Sequence, residues 1–231
     1  MQIRKNLTFR VGRKRFQRHK EDMSVLPSFD LIQKACSSMP LFPLPRVVLF
    51  PGTLLRLHVF EPRYVQLLEH VQEGNGLFAI PMLRSDSLSI EEPDLHSVAG
   101  IGKVVHCTSL PDNRFQIVLL GVGRIQILEE KKTDTLYRVA KGALLSEESK
   151  DFDIVPLQQL LTQIIMRNPA LSETWSTLLD ESLPQRTFLN TVAEILISKA
   201  EEKQAFLEIE EASKQGDLLS EKLAEFLLQS I

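Results

Sequence analysis

The amino-acid sequence predicts an α+β fold, in which a β-barrel of short strands precedes a bundle of α-helices. Between Met39 and about Leu145, apolar runs rich in β-branched residues are separated by turn residues and interrupted by glycines. From residue 153 onward, apolar side chains instead recur at the i, i+3 and i+4 spacing of helices. We therefore expect a barrel over residues 39–148 and a helical subdomain over residues 149–231.

The strands of the predicted barrel are short and follow one another closely. The segment 53–60 alternates, with Leu55, Leu57 and Val59 on one side and Arg56 and His58 on the other. Glycine kinks in the longer runs and turn residues between them suit a tightly coiled sheet. The predicted strands span residues 46–50, 53–60, 77–83, 98–110, 114–130 and 136–145.

One helix interrupts the strands after Phe60. Pro62 suits the first turn of a helix, and the apolar residues that follow share one helical face: Tyr64, Leu67, Leu68 and Val71. Gly74 and Gly76 come where a left-handed cap would end such a helix. The spacing therefore predicts an amphipathic helix over residues 61–71 that ends at the segment 73–76.

The second half of the chain contains five segments with helical spacing. Prolines stand where several of these helices would begin: Pro156, Pro169 and Pro184. Near the C-terminus, Gly216 is expected to break one helix and Asp217 to cap the next. The predicted helices span residues 155–168, 171–183, 184–200, 201–210 and 217–231.

Four prolines lie in the apolar segment 39–52, although proline disrupts both helices and central strands because it lacks an N–H. We expect Pro40, Pro43 and Pro45 along a barrel edge, where a missing N–H faces no ladder partner. Pro51 and Gly52 would then turn the chain into the next strand. A PxxP ligand for an SH3 domain is the alternative, but the flanking residues belong in a barrel core.

The composition indicates a soluble globular protein, with 43% hydrophobic and 25% charged residues. No apolar run approaches the ~18 residues that cross a bilayer, so no membrane span is expected. Cys36 and Cys107 form no CxxC pair and indicate no disulfide framework. A reducing cytoplasm is therefore the expected compartment.

The net charge of -3 conceals a basic N-terminal arm. The first 20 residues carry eight lysines or arginines and no acid, which leaves 19 basic and 30 acidic side chains in the rest of the chain. We interpret residues 1–38 as a disordered arm with a short helix that Ser28 or Asp30 could cap. The alternatives are an organelle transit peptide, a phosphate-contacting arm, and translated sequence upstream of a start at Met23 or Met39.

The residue patterns predict no catalytic, cofactor or metal site. The five histidines lack the HxxxH and HExxH spacings of metal sites. His106 and Cys107 are neighbours in a predicted strand and face opposite sides, which favours a buried thiol over a nucleophilic pair. The glycines of segments 100–104 and 121–126 match neither a phosphate loop nor a dinucleotide motif, and they suit bends in a sheet.

The order of motifs along the chain resembles the Lon N-terminal domain, also called the Lon substrate-binding domain. Residues 40–71 are similar to the opening of that family: PLFPLPRVVLFPGTLLRLHVFEPRYVQLLEHV. The resemblance continues over residues 77–83, 99–130, 137–145 and 189–212, the last containing Lys203-Gln204 and Leu207-Glu208. The chain departs from the family at Gln215, where arginine is frequent, and at Gly216, where the family's helix continues.

This resemblance implies a PUA-like β pseudo-barrel followed by a helical bundle. In Lon proteases the domain precedes an ATPase module and a Ser-Lys protease module, and it helps to capture unfolded or tagged substrates. This sequence shows no Walker A motif, and Ser198 and Lys199 are adjacent in a predicted helix rather than a protease dyad. The chain therefore resembles a stand-alone member that lacks both modules, and we expect no enzymatic activity from it.

We expect a non-catalytic polypeptide-binding or adaptor protein, with unfolded or hydrophobic segments and a protease or ATPase as its partners. The alternative functions are RNA association through the PUA-like fold and the basic arm, and a role as accessory component of a separate ATP-dependent protease. The balance of -11 outside the arm opposes the RNA alternative. The candidate contact surface, whose side chains could instead pack the barrel, consists of Pro43, Leu44, Pro51, Phe60, Arg63 and Tyr64.

Overall fold

The computed structural model describes residues 26–85, 87, 93–146, 153–171, 175, 178 and 183–229. The chain divides into two compact units. One unit contains the described residues up to Leu49 together with Leu54–Leu145, and the other contains Phe50–Thr53 together with the chain from Ser146 onward. The basic arm 1–20, part of the loop 86–97 and most of the helix expected at 171–183 lie outside the described residues.

The first unit is built on one six-stranded antiparallel sheet, which confirms the α+β class. The strands follow the order β1-β6-β5-β4-β3, and β2 pairs with β5. Their bounds are β1 Met39–Pro40, β2 Leu54–Val59, β3 Leu77–Ile80, β4 Val98–Leu110, β5 Arg114–Lys131 and β6 Val139–Leu145. Segment 46–50, which the apolar run predicted as a strand, forms no ladder and is wrong as a strand.

The long strand β5 has different neighbours along its two halves. On one side, β4 pairs with it from Arg114 to Gln126. On the other side, β2 pairs with residues 115–120 and β6 pairs with residues 124–131. One side of β5 therefore pairs first with β2 and then, further along, with β6. Because β2 pairs with no other described strand, it is an edge strand of the sheet.

The proline-rich segment 39–44 lies between the outer strands β6 and β3. Leu41 N donates to the carbonyl oxygen of Arg138 at 2.8 Å, and Phe42 N donates to that of Ala79 at 2.9 Å. Leu44 N donates to the carbonyl oxygen of Pro81 at 3.1 Å. The non-proline residues thus supply the N–H groups that pair, while the bridges remain isolated and leave the pseudo-barrel not fully closed.

The described part of the first unit contains the α-helices α1 Phe29–Ala35 and α2 Pro62–Glu73. Ser28 caps α1 through its Oγ, which accepts a hydrogen bond from Leu31 N at 3.3 Å. The helix α2 begins with Pro62, and the predicted apolar face is buried: Tyr64, Val65, Leu67, Leu68 and Val71. This face joins the sheet residues in one apolar core.

Gly100 and Gly102 permit a close approach between β4 and the chain at Leu49. A Cβ atom at Gly100 would lie 1.9 Å from the carbonyl oxygen of Leu49, and one at Gly102 would lie 3.1 Å from Leu49 Cδ2. The segment 100–104 therefore needs glycine because a side chain at Gly100 would collide with Leu49 and one at Gly102 would crowd it, and no phosphate binding is required to explain these residues.

The second unit is helical in its described part and includes Phe50–Thr53. Its helices are α3 Val155–Arg167, α4 Gln185–Leu196, α5 Ala200–Glu208 and α6 Ala212–Gln229. The helix α6 packs against α3 and α4. It also runs through Gly216 and Asp217, so the break and cap expected there are wrong. Among the helices described, none has the length and apolarity that a bilayer crossing requires.

Candidate functional site

Tyr64 and Pro43, two residues of the candidate contact surface, are buried. Tyr64 is only 4% exposed and stacks on Phe42, with 3.8 Å between ring centroids and 12° between ring planes. Its hydroxyl donates to the carbonyl oxygen of Pro43 at 3.1 Å. The two residues therefore hold α2 against the proline-rich segment, and a bound polypeptide could reach them only at their margins.

Burial also governs the titration of Tyr64. The loss of solvent around the hydroxyl raises the pKa of Tyr64 to about 12, which Arg63 lowers and Glu61 raises by smaller amounts. The phenol therefore stays neutral and remains a hydrogen-bond donor throughout the physiological range.

Arg63 is exposed beside this pair. Its Nη2 and Nε atoms lie 2.7 and 2.9 Å from Glu61 Oε2, and its guanidinium carbon lies 4.6 Å from the centroid of the Tyr64 ring. Stacking over an aromatic ring fixes the plane of the guanidinium and leaves its outer face to solvent. Arg63 is thus a partly oriented cation at the start of α2.

The remaining candidate residues lie in different surroundings. Phe60 follows β2 directly, is half-buried, and has its ring edge-on to His58 with 6.2 Å between centroids. Leu44 is half-buried, and its carbonyl oxygen accepts a hydrogen bond from Leu83 N at 3.1 Å.

Pro51 is buried in the helical unit, where Asn190 Nδ2 donates to its carbonyl oxygen at 2.9 Å. Direct contacts therefore join Pro43, Arg63 and Tyr64, while Pro51 belongs to the other unit.

The exposed row of β2 was missed in the sequence-based surface. Leu54, Arg56 and His58 point to solvent, and Leu54 is 62% exposed. The alternation in the sequence revealed which residues share this row, but the exposure of an edge depends on strand pairing. The sequence does not show that β2 pairs with β5 alone among the described strands, and this pairing leaves the exposed row beside an open edge of the sheet.

Among the described residues of the first unit, no thiol and imidazole form a reactive pair. Burial raises the pKa of Cys36 and of Cys107 to about 11 in each case, which keeps both thiols protonated near neutrality. His106 is exposed and its Nε2 lies 2.9 Å from Thr108 Oγ1. Among the described residues, no group of three or more His, Cys, Asp or Glu side chains could hold a metal ion.

A sequence profile of the ATP-dependent protease La (LON) substrate-binding domain matches residues 38–225. The chain belongs to this family. Lon protease of Bacillus thuringiensis is 25% identical over 179 residues, which are 74% of this chain and 22% of that protein. Lon protease of Cytophaga hutchinsonii is 23% identical over 193 residues, which are 79% of this chain and 23% of that protein. The chain thus spans about a fifth of the length of these Lon proteases.

Two solved structures share the fold. The Lon N-terminal domain protein of Xanthomonas campestris has a TM-score of 0.60 at 20% identity, over 79% of this chain and 96% of that one. The N-terminal domain of the Mycobacterium avium complex Lon protease has a TM-score of 0.65 at 14% identity, over 81% and 98% of the two chains. At these identities the likeness concerns the fold alone, and it agrees with the predicted family.

Proposed function

We propose that this chain is a non-catalytic polypeptide-binding or adaptor protein of the Lon substrate-binding domain family. The observation that carries this proposal is the family match over residues 38–225. In the described residues, the site offers apolar and cationic side chains for binding rather than a nucleophile for catalysis. We also propose a cytoplasmic location, because both cysteines are free thiols that suit a reducing compartment.

The accessible part of the proposed surface consists of Leu44, Phe60 and Arg63. The first two present half-buried apolar side chains, and the third presents an exposed guanidinium. Pro43 and Tyr64 support this surface from the core. An apolar surface with one oriented cation would accept unfolded segments that expose hydrophobic residues.

A binding measurement with an unfolded protein tests this proposal. The probe is a reduced, carboxymethylated globular protein with a fluorescent label, and the control is the same protein in its native, disulfide-bonded form. We expect the fluorescence anisotropy of the unfolded probe to rise on addition of the full chain, while the native probe shows no change. Equal responses from the two probes, or none from either, would contradict the proposal.

A role as accessory component of a separate ATP-dependent protease is the second candidate. It is supported by the relatives, which are whole Lon proteases about a fifth of whose length this chain matches. The test adds the full chain to a purified ATP-dependent protease from the same cells and follows degradation of the unfolded probe. Faster degradation that requires ATP supports this role, whereas an unchanged rate with every such protease excludes it.

A further inference from the structure

The strand β2 leaves one of its two edges without a strand partner among the described residues. All six of its residues, Leu54–Val59, pair with β5 on one side. Because the N–H and C=O groups of a strand point alternately to its two sides, about half of those in β2 point away from β5. Within the described part of the chain, these outward groups pair with no other backbone.

The edge of β2 has few of the features that block strand addition. Natural edge strands are commonly protected by proline, bulges or inward-pointing charges. The strand β2 contains no proline, keeps an unbroken register with β5, and carries its charged residue Arg56 on the outward face. The backbone of β2 is therefore suited to pair with one more strand.

The two faces of β2 differ, and this difference defines the segment that would fit. On the inner face, Leu55 and Leu57 pack against the apolar core but remain half-buried at the edge of the sheet. An added strand with apolar residues on this face would complete their burial. The inner face therefore favours valine, isoleucine or leucine at every second position of a partner.

On the outer face of β2, the one charged side chain is the cation Arg56. Arg56 is exposed and makes no ion pair with any described residue. Its cross-strand neighbour is Val118, which lies opposite His106 in β4, and His58 lies opposite Gln116. These pairs share one face of the sheet and include no carboxylate. The outer face therefore favours acidic residues at the remaining positions of a partner.

We propose that the outer edge of β2 is a strand-addition site for an extended polypeptide segment in which apolar and acidic residues alternate. This inference rests on the proposed function and assigns it a location and a recognised pattern. The site adjoins the proposed surface, since Phe60 follows β2 directly. A second copy of the chain fits less well, because antiparallel pairing of two β2 strands would bring Arg56 opposite Arg56 or His58 of the other copy, where no carboxylate compensates its charge.

The first test uses a labelled peptide of the length of β2 with alternating valine and glutamate, and a matched peptide with lysine in place of glutamate. We expect the full chain to bind the acidic peptide and to discriminate against the basic one. Replacement of Arg56 by glutamate should weaken binding of the acidic peptide by roughly three- to tenfold, because an exposed attraction becomes a repulsion. The control is Lys141→Glu, another exposed cation, which lies in the paired strand β6 and should change binding little.

The second test separates strand pairing from mere charge attraction. Two versions of the acidic peptide carry N-methyl groups on alternate amides, one on the odd and one on the even positions. Strand addition requires that one version lose at least about tenfold in affinity and that the other bind normally, since only one set of amides faces β2. Equal behaviour of the two versions overturns the proposal.

The outcomes of the two tests distinguish this inference from the proposed function. If the chain binds the unfolded protein but Arg56→Glu and the N-methyl pattern have no effect, strand addition at β2 is wrong and the proposed function stands. If the chain binds neither the unfolded protein nor the acidic peptide, both fail. A dimer in sedimentation equilibrium whose formation blocks binding of the acidic peptide would assign the edge to a second copy and would also overturn the inference.

Discussion

At the scale of single residues, Gly100 lies where two segments of the first unit pass very close to each other. The backbone of β4 passes so near the carbonyl group of Leu49 that a Cβ at Gly100 would lie 1.9 Å from its oxygen. The two nearest atoms that this Cβ would meet are the backbone oxygen and carbon of Leu49, not the end of a flexible side chain that could move aside. The absence of a side chain at this position is therefore a requirement of the fold, and it fixes the course of the chain before β2.

Replacement of Gly100 by alanine should destabilise the chain by about 3 kcal/mol or more, because it forces two backbone segments apart. Urea unfolding followed by circular dichroism measures the change. Gly123→Ala is the matched control, since it also lies in a strand and its Cβ would meet Leu144 Cδ1 at an ordinary 3.4 Å. Similar unfolding midpoints for the two variants would contradict the steric explanation.

The two tyrosines of the chain should lose their hydroxyl protons at a higher pH than an exposed tyrosine does. Burial raises the pKa of Tyr64 from 10.0 to about 12, and burial also raises the pKa of Tyr137. The folded state thus holds the Tyr64 proton more tightly than the unfolded state. Its contribution to stability is complete below pH 10, the unfolded pKa, and is lost as the pH rises towards 12.

A titration to alkaline pH that follows the absorbance of tyrosinate measures the pKa of the tyrosines. Urea unfolding at each pH measures the free energy of unfolding and so checks the expected loss of stability. Tyr64→Phe should remove its share of the alkaline loss of stability, at a cost of about 1 kcal/mol near neutrality for the hydrogen bond to Pro43. An unchanged pH profile in this variant would show that Tyr64 is not the group responsible.

At the scale of elements, local periodicity predicted α2 and β2 well because their apolar faces pack on the core in register with the sequence pattern. The same reasoning failed for segment 46–50. Its residues Val48, Leu49 and Phe50 are buried like those of a strand, yet no neighbouring strand pairs with them. Composition reports burial, whereas a ladder depends on partners that are distant in sequence.

Helix α6 shows a second failure of local reasoning. Gly216 was expected to end a helix, since glycine costs about 1 kcal/mol relative to alanine in a helix interior. Gln215 offsets that cost by tertiary contacts: its Oε1 accepts from Arg186 Nη1 at 2.7 Å, and its Nε2 donates to the carbonyl oxygen of Phe206 at 3.1 Å. Contacts that no local pattern reveals therefore hold the chain in helical form.

Replacement of Gln215 by alanine should lower the free energy of unfolding of the helical unit by about 2–3 kcal/mol, because the buried Arg186 loses a charge-assisted acceptor. The fluorescence of Trp175, the single tryptophan, reports on this unit during urea unfolding. Lys214→Ala provides the control one residue earlier, since Lys214 is exposed and its ion pair with Glu211 lies on the surface. Equal shifts from the two variants would refute the bridging role of Gln215.

At the scale of the whole molecule, chain order and spatial organisation differ in one short segment. Composition changes once, near residue 148, but the helical unit also contains Phe50–Thr53. The candidate residue Pro51 is buried there, and Pro43 and Tyr64 are buried in the other unit. Helical periodicity had already placed Tyr64 on the apolar face of α2, but Pro43 and Pro51 lie outside helices and strands. Apolar residues in such segments look alike in sequence whether they face solvent or a core, so the burial of these two prolines could not be predicted without the packing of distant elements.

The segment Phe50–Thr53 should therefore stabilise the helical unit. Phe50 is fully buried and meets the ring of Phe206 edge-on, with 5.6 Å between centroids. Phe50→Ala should lower the stability of this unit by about 3 kcal/mol, through lost burial and a residual cavity. The urea transition of Trp175 fluorescence measures this effect, and Phe29→Ala, whose side chain is 62% exposed, should leave it unchanged. If Phe50→Ala leaves the Trp175 transition in place, this segment does not belong to the helical unit.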